Sequence, residues 1–117
     1  MVHIDLKERI PMPGGYLRKT SPREFAADPG TWPDTTVPDH AQARVMLVIA
    51  ARLRERVEAD GRSLREIAAQ TGVNRQTITN LMAGSSWADV LTISLLEDRL
   101  NVVLWPGAVV RASEAAR

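Results

Sequence analysis

The sequence has no cysteine, only two histidines, few aromatic residues and no long hydrophobic run. Without cysteine the chain has no disulfide framework, no thiol nucleophile and no thiolate metal site. No stretch approaches the roughly 18 apolar residues that a membrane span requires. The N-terminus lacks the charged start and long apolar core of a secretory signal. We therefore expect a cytoplasmic protein that has no contact with membranes.

An excess of charge of one sign is also missing, because 15 Lys plus Arg oppose 14 Asp plus Glu. A net charge of +1 gives no global reason to expect a polyanionic partner, but a partner contacts one face and not the sum. The basic residues are almost all arginine, which forms bidentate bonds to phosphate and guanine, although a GC-rich genome explains this bias equally well. A length of 117 residues, with 44% apolar and 25% charged, predicts one small soluble domain.

No group of residues has catalytic spacing. His3 and His40 are not spaced with acidic residues as metal ligands are, and we expect both to be exposed. Glu97 and Asp98 are adjacent on a predicted helix, so their side chains diverge and cannot act as an acid and base pair. The sequence therefore predicts no enzyme activity, no cofactor and no metal site.

The first third of the chain is rich in proline, with six of the seven prolines before residue 39. Because proline lacks a backbone donor and favours extended neighbours, a long helix is not expected there. Ser21 and Pro22 can begin a short helix, and residues 2–6 alternate as in an edge strand. We predict that residues 1–38 form an extended arm, docked by its aromatic residues Tyr16, Phe25 and Trp32.

From Asp39 onward the pattern is helical. Pro38 and Asp39 form a stop-and-cap signal, and apolar residues then recur every four positions. The spacing predicts a first helix over about 40–59, with its charged residues, including Arg44, on the faces away from the core. The apolar stripe comprises Val45, Ile49, Leu53 and Val57.

Two short helices follow. Ser63 and Glu66 have the spacing of a capping box, in which each side chain satisfies the other residue's amide. Gly72 suits the left-handed residue after a helix, and Asn74 can cap the next one. The sequence therefore predicts a second helix ending before Gly72 and a third over about 74–83.

A fourth helix is predicted over about 89–100, closed by Asn101. The tail beyond it has two β-favouring runs about a Pro-Gly turn, so it can form a hairpin or an extended packing segment. We expect Trp87 to lie in the core under the fourth helix, and Trp105 to lie in the core or an interface.

The second and third helices meet the physical requirements of a helix-turn-helix unit over residues 63–84. A three-residue turn separates them, the small Ala68 permits a steep crossing, and Ile78 and Leu81 hold the pair on the core. The text SLREIAAQTGVNRQTITNLMAG resembles the phage-repressor-like (XRE-type, lambda repressor/Cro-like) helix-turn-helix regulators. The likeness extends over residues 41–106 and does not include the arm.

The resemblance implies an all-α fold, a four- to five-helix repressor-like domain with an extended Pro-rich arm and a short C-terminal tail that can be β. The domain would span residues 39–106 and the tail residues 107–117. In this family the third helix enters the major groove of double-stranded DNA, and its N-terminal residues contact base edges. Carried to this chain, the base-contacting residues are Asn74, Arg75, Gln76, Thr77, Thr79 and Asn80.

Chemically these side chains suit the role, because arginine can bind guanine and glutamine or asparagine can bind adenine. We expect phosphate contacts from the start of the second helix and the loop after the third, namely Arg62, Arg65, Ser85 and Ser86. For Arg62 and Arg65 a solvated face or a pair with Glu66 explains the residues equally well.

The resulting hypothesis is a sequence-specific transcriptional regulator that binds DNA as a homodimer through the arm or the tail with Trp105. The alternative is a protein-interaction module or antitoxin component that binds a protein partner through the N-terminal arm. Near-neutral charge indicates few phosphate contacts and a modest dependence of DNA binding on salt.

Overall fold

The computed structural model describes residues 19–107, and this part of the chain is all-α. Within residues 19–107 four α-helices follow the short 3-10 helices Pro22–Phe25 and Pro29–Thr31. No β-strand occurs between residues 19 and 107, and none of the helices described there is long and apolar enough to cross a membrane. The fold class is as predicted, with helices α1 (Ala41–Asp60), α2 (Leu64–Thr71), α3 (Arg75–Ala83) and α4 (Val90–Leu100).

The caps of the helix-turn-helix unit form as the sequence predicts. The Ser63 amide donates to Glu66 Oε1, and the Glu66 amide donates to Ser63 Oγ, both at 3.2 Å. Gly72 has a φ of 77° after α2, a left-handed conformation that costs glycine little. Asn74 Oδ1 accepts from the Gln76 amide at 2.7 Å and caps α3. Local hydrogen bonds therefore determine where α2 and α3 begin and end.

The core lies where the four helices meet. α1 packs against α3, while α2 contacts both α3 and α4. Each fully buried Leu or Ile stabilises the fold by about 1.5–3 kcal/mol relative to an exposed position. The side chains exposed by 2% or less in this cluster are Ile49, Leu53, Ile67, Ile78, Leu81, Leu96, Leu100 and Leu104.

The start of α1 differs from the prediction by one residue. The N-cap is His40 and not Asp39, and His40 Nδ1 accepts from the Ala43 amide at 3.1 Å. The His40 ring is half-buried and stacks on Phe25, with ring centroids 3.9 Å apart. The expectation that His40 is exposed was wrong, because the residues before α1 fold back over this end of the helix.

Arg44 also departs from its predicted position on the solvent side of α1. It is only 7% exposed, and its guanidinium donates to the carbonyls of Val37 and Pro38. A buried guanidinium needs such acceptors, since an unpaired buried charge is strongly unfavourable. Helical periodicity identified the face of α1 that contacts other helices, but it carried no information about the segment that covers its first turns.

Residues 20–38 pack against the helical domain, as predicted for Phe25 and Trp32. Phe25 lies beside Trp87, with ring centroids 6.5 Å apart, and Trp32 packs on the end of α3. The helix predicted after Ser21 is a 3-10 helix, and the Ser21 amide donates to Glu24 Oε2 at 2.9 Å. Tyr16 and the edge strand predicted at residues 2–6 lie outside the described residues.

After α4 the chain turns back along the domain. Asn101 ends the helix in a left-handed conformation with a φ of 52°, as predicted. The Glu97 carboxylate then accepts from the Leu104 and Trp105 amides at 2.8 and 2.9 Å. This clamp buries Leu104 but leaves Trp105 48% exposed, so Trp105 is not a core residue. The segment 102–107 is irregular, and the rest of the predicted tail lies outside the described residues.

Candidate nucleic-acid interface

Helix α3 has one buried face and one polar, accessible face. Ile78 and Leu81 are at most 1% exposed and hold the helix on α1. The residues predicted to contact bases lie outside this buried pair, at the N-cap and on the remaining sides of the helix. Asn74, Arg75, Gln76 and Thr79 are exposed, while Thr77 and Asn80 are half-buried. Four of the six predicted base-contacting residues are therefore accessible, and the other two are partly covered.

Arg75 lies in the first turn of α3 and has no carboxylate within ion-pair distance among residues 19–107. Other arginines of the domain differ, since Arg54 pairs with Asp34 and Arg62 pairs with Asp60. The Arg75 guanidinium is thus exposed and available for an acceptor from outside the domain, such as the O6 and N7 atoms of guanine.

Gln76 and Asn80 form a pair on the exposed face. Gln76 Nε2 donates to Asn80 Oδ1 at 2.9 Å, one helical turn away. The bond leaves the Gln76 carbonyl as an acceptor and the Asn80 amide nitrogen as a donor. An adenine edge presents an N6 donor and an N7 acceptor, which match these two groups. The pair is therefore a pre-oriented surface for a donor and an acceptor side by side.

Two of the predicted residues also have structural roles. Asn74 uses one lone pair of its carbonyl oxygen to cap α3, which leaves the amide nitrogen and the second lone pair for a ligand. Thr79 Oγ1 donates to the Arg75 carbonyl at 3.1 Å. Such back-bonding uses the hydroxyl proton and leaves the oxygen lone pairs as acceptors.

The four predicted phosphate-binding residues differ in how accessible their side chains are to a phosphate. Arg62 forms a two-pronged ion pair with Asp60, and its Nη2 donates to Asp60 Oδ2 at 2.8 Å. This hydrogen bond holds the pKa of the Asp60 carboxyl below its ordinary value. The structural pairing of Arg62 is thus with Asp60 and not with Glu66, and it competes with a phosphate. Arg65 and Ser85 are exposed, and Ser86 is half-buried.

The arm braces the loop between α3 and α4, residues 84–89. The sequence did not predict this contact. The Arg23 amide donates to the Gly84 carbonyl at 3.0 Å, and Trp87 Nε1 donates to the Thr20 carbonyl at 2.9 Å. A Cβ added to Gly84 would lie 2.5 Å from Trp32 Cε2, so the indole packs directly on this glycine. These residues are more than fifty positions apart, and no local pattern connects them.

Comparison with protein families supports the same assignment. Residues 53–103 match a family model described as helix-turn-helix. The match begins within α1 and continues beyond α4, so it includes every predicted base-contacting and phosphate-contacting residue. Comparison with curated proteins gave no significant match, and comparison with solved structures gave none either. Residues 53–103 therefore form a helix-turn-helix domain that is similar to those of the phage-repressor-like DNA-binding regulators.

Proposed function

We propose that the protein is a sequence-specific transcriptional regulator that inserts α3 into the major groove of double-stranded DNA. The observation that carries this proposal is the exposed polar face of α3, where Arg75 has no carboxylate partner within the described residues. No acidic residue occurs between Glu66 and Asp89, so the helix and its flanking turns offer no like charge to a phosphate backbone.

In this proposal each exposed side chain has a chemical task. Arg75 binds a guanine edge, and the Gln76 and Asn80 pair binds an adjacent adenine. Thr77 and Thr79 contact a thymine methyl or a phosphate oxygen. Arg65, Ser85 and Ser86 contact the backbone on either side of α3, and Arg62 joins them where a phosphate displaces Asp60.

A homodimer is part of the proposal, since two-fold regulators of this kind bind half-sites about one helical turn apart. The exposed apolar side chains of the domain favour a dimer contact at the end of the domain that carries Trp105. Val90 is 80% exposed, Leu91 69% and Trp105 48%. The described part of the arm is less suited, because Phe25 already packs on its own domain. Sedimentation over a dilution series should show dimers, and monomer alone at micromolar concentration contradicts this contact.

The test of the function is selection of duplexes from genomic DNA by the purified protein at stated salt. We expect enrichment of one short motif, and each of the variants R75A and Q76A should lose about 1–3 kcal/mol of binding free energy on it. Each variant should also relax the preference at one position of the motif, because a lost base contact affects only that base pair. R99A, at an exposed position on α4, is the control and should bind as the parent does.

A flat enrichment profile contradicts the proposal and favours a helix-turn-helix scaffold that binds a protein partner. Unchanged DNA binding by R75A and Q76A contradicts the assignment of base contacts to α3. These two outcomes are distinct, because the second leaves a DNA-binding protein with a different contact surface.

A further inference from the structure

The segment Lys19–Glu24 runs along the loop that follows α3. Two hydrogen bonds hold it there, from the Arg23 amide to the Gly84 carbonyl at 3.0 Å and from Trp87 Nε1 to the Thr20 carbonyl at 2.9 Å. The two tethers engage both ends of the stretch 84–87, so the segment is positioned beside the whole of it. This stretch includes Ser85 and Ser86, which the proposed function assigns to the phosphate backbone.

The segment presents positive charge at this place. Lys19 and Arg23 are both exposed, and neither has a carboxylate within ion-pair distance among residues 19–107. The acidic side chain of the segment, Glu24, folds back and accepts from the Ser21 amide and hydroxyl at 2.9 and 3.2 Å. The adjacent stretch 84–87 contains no charged residue of its own.

We infer that Lys19 and Arg23 form a second cationic contact with DNA phosphates, beside the loop that follows the recognition helix. The inference rests on the proposed function, because α3 in the major groove brings the following loop to the phosphate backbone. The segment lies outside residues 53–103, which match the family model, so the contact is an addition by this chain to the shared domain.

The side chains of Lys19 and Arg23 can be replaced without breaking the hydrogen bonds that hold the segment on the loop. Arg23 is tethered through its backbone amide, and the tether to Thr20 uses a backbone carbonyl. Replacing the Lys19 and Arg23 side chains therefore removes charge and leaves both tethers in place. Arg99, exposed at the end of α4, offers a matched control at which the same change removes one charge elsewhere.

The experiment measures the DNA affinity of K19Q, R23Q and the double variant over a series of salt concentrations, on a random-sequence duplex and on the duplex selected by the parent. Each phosphate contact contributes about −0.9 to the slope of log K against log salt. When the salt concentration rises fourfold, the affinity of the parent should therefore fall by a factor about three- to fourfold larger than the factor for a single variant. The difference should apply once for each residue replaced. The loss should be equal on both duplexes, because phosphate contacts carry no sequence information. R99Q should keep the parental slope.

Each other outcome is decisive. If the parent binds DNA but the double variant keeps its slope, the inference is wrong and the proposed function stands. A variant that changes base preference without changing the slope also overturns it, since this indicates a base contact. If the parent binds neither duplex, the proposed function itself fails. An unchanged thermal unfolding midpoint of the double variant shows that the docking persists, and R23E should then weaken binding more than R23Q.

Discussion

The helix-turn-helix unit and the arm that braces it are held by different kinds of contact. Within residues 63–84 the defining hydrogen bonds join residues three or four positions apart. Ser63 bonds with Glu66, and Thr71 Oγ1 donates to the Ile67 carbonyl at 2.8 Å. In the arm the defining contacts join distant residues, such as Arg23 with Gly84. A motif of this kind can be recognised from contacts between near neighbours in the sequence, whereas the segment that braces it is identified only from contacts between distant residues.

The arm and the unit meet at the end of α3. Trp32 packs on Gly84, and Phe25, His40 and Trp87 form an aromatic cluster beside it, with the His40 and Trp87 centroids 5.9 Å apart. A DNA-contacting helix must be held rigidly to place its side chains. The arm is therefore part of the structure that positions α3, and not only a linker that precedes it.

The largest expected effect comes from breaking the helix-turn-helix unit itself. Ile78→Ala should lower the free energy of unfolding by about 2–5 kcal/mol, because this side chain of α3 is fully buried in the core. Arg75→Ala, on the exposed face of the same helix, should change it by no more than about 0.5 kcal/mol. Urea unfolding followed by circular dichroism measures both, and equal losses in the two variants contradict the two-faced description of α3.

The junction between the arm and α3 should respond next. Gly84→Ala should cost about 1–3 kcal/mol of unfolding free energy, because the φ of 69° is strained for alanine and the new Cβ would meet Trp32. Gly61→Ala is the matched control, with a φ of 75° and no atom within 4 Å of the new Cβ. The excess cost at Gly84 over Gly61 isolates the packing of the arm.

A double-mutant cycle tests whether the Trp32 indole contributes to the cost of Gly84→Ala. In a Trp32→Ala background the additional cost of Gly84→Ala should fall but stay above the cost at Gly61, because the indole is gone while the Arg23 Cβ still lies 2.9 Å from the new Cβ. The same excess in both backgrounds means that the Trp32 indole does not contact this glycine in solution.

The smallest expected effect is a dependence of stability on pH at the start of α1. Burial, and then the nearby Arg44 guanidinium, lower the pKa of His40 below its ordinary value of 6.5. The unfolded chain therefore binds a proton at a pH where the folded His40 does not, so stability is full above about pH 6.5 and falls as the pH decreases below it. Protonation also removes the Nδ1 lone pair that accepts from the Ala43 amide.

His40→Asn provides the test, because asparagine caps a helix without titrating. The thermal unfolding midpoint of the parent should fall further between about pH 7.5 and pH 5.5 than that of the variant. An identical decrease in both proteins assigns the pH dependence to other groups and contradicts the role given to His40.

The sequence predicted the α-helices to within about one residue, because their caps and apolar stripes are local features. Ser63, Gly72, Asn74 and Asn101 all serve the caps that their residue types favour. The sequence also predicted that Phe25 and Trp32 dock, since exposed aromatic rings are costly. It placed Arg44 on the wrong side of α1 and His40 in solvent, because what covers them comes from another part of the chain.

The positions of the four helices and the polar face of α3 follow from the sequence alone, because they depend on hydrogen bonds and periodicity within a few residues. The tertiary structure was needed to establish that Glu97 clamps the tail and that Lys19 and Arg23 lie beside the loop after α3. The physical reason is that side-chain partners across space depend on how helices and arm pack together. A near-neutral sequence can thus place Lys19 and Arg23 beside a distant loop without a local signal of that position.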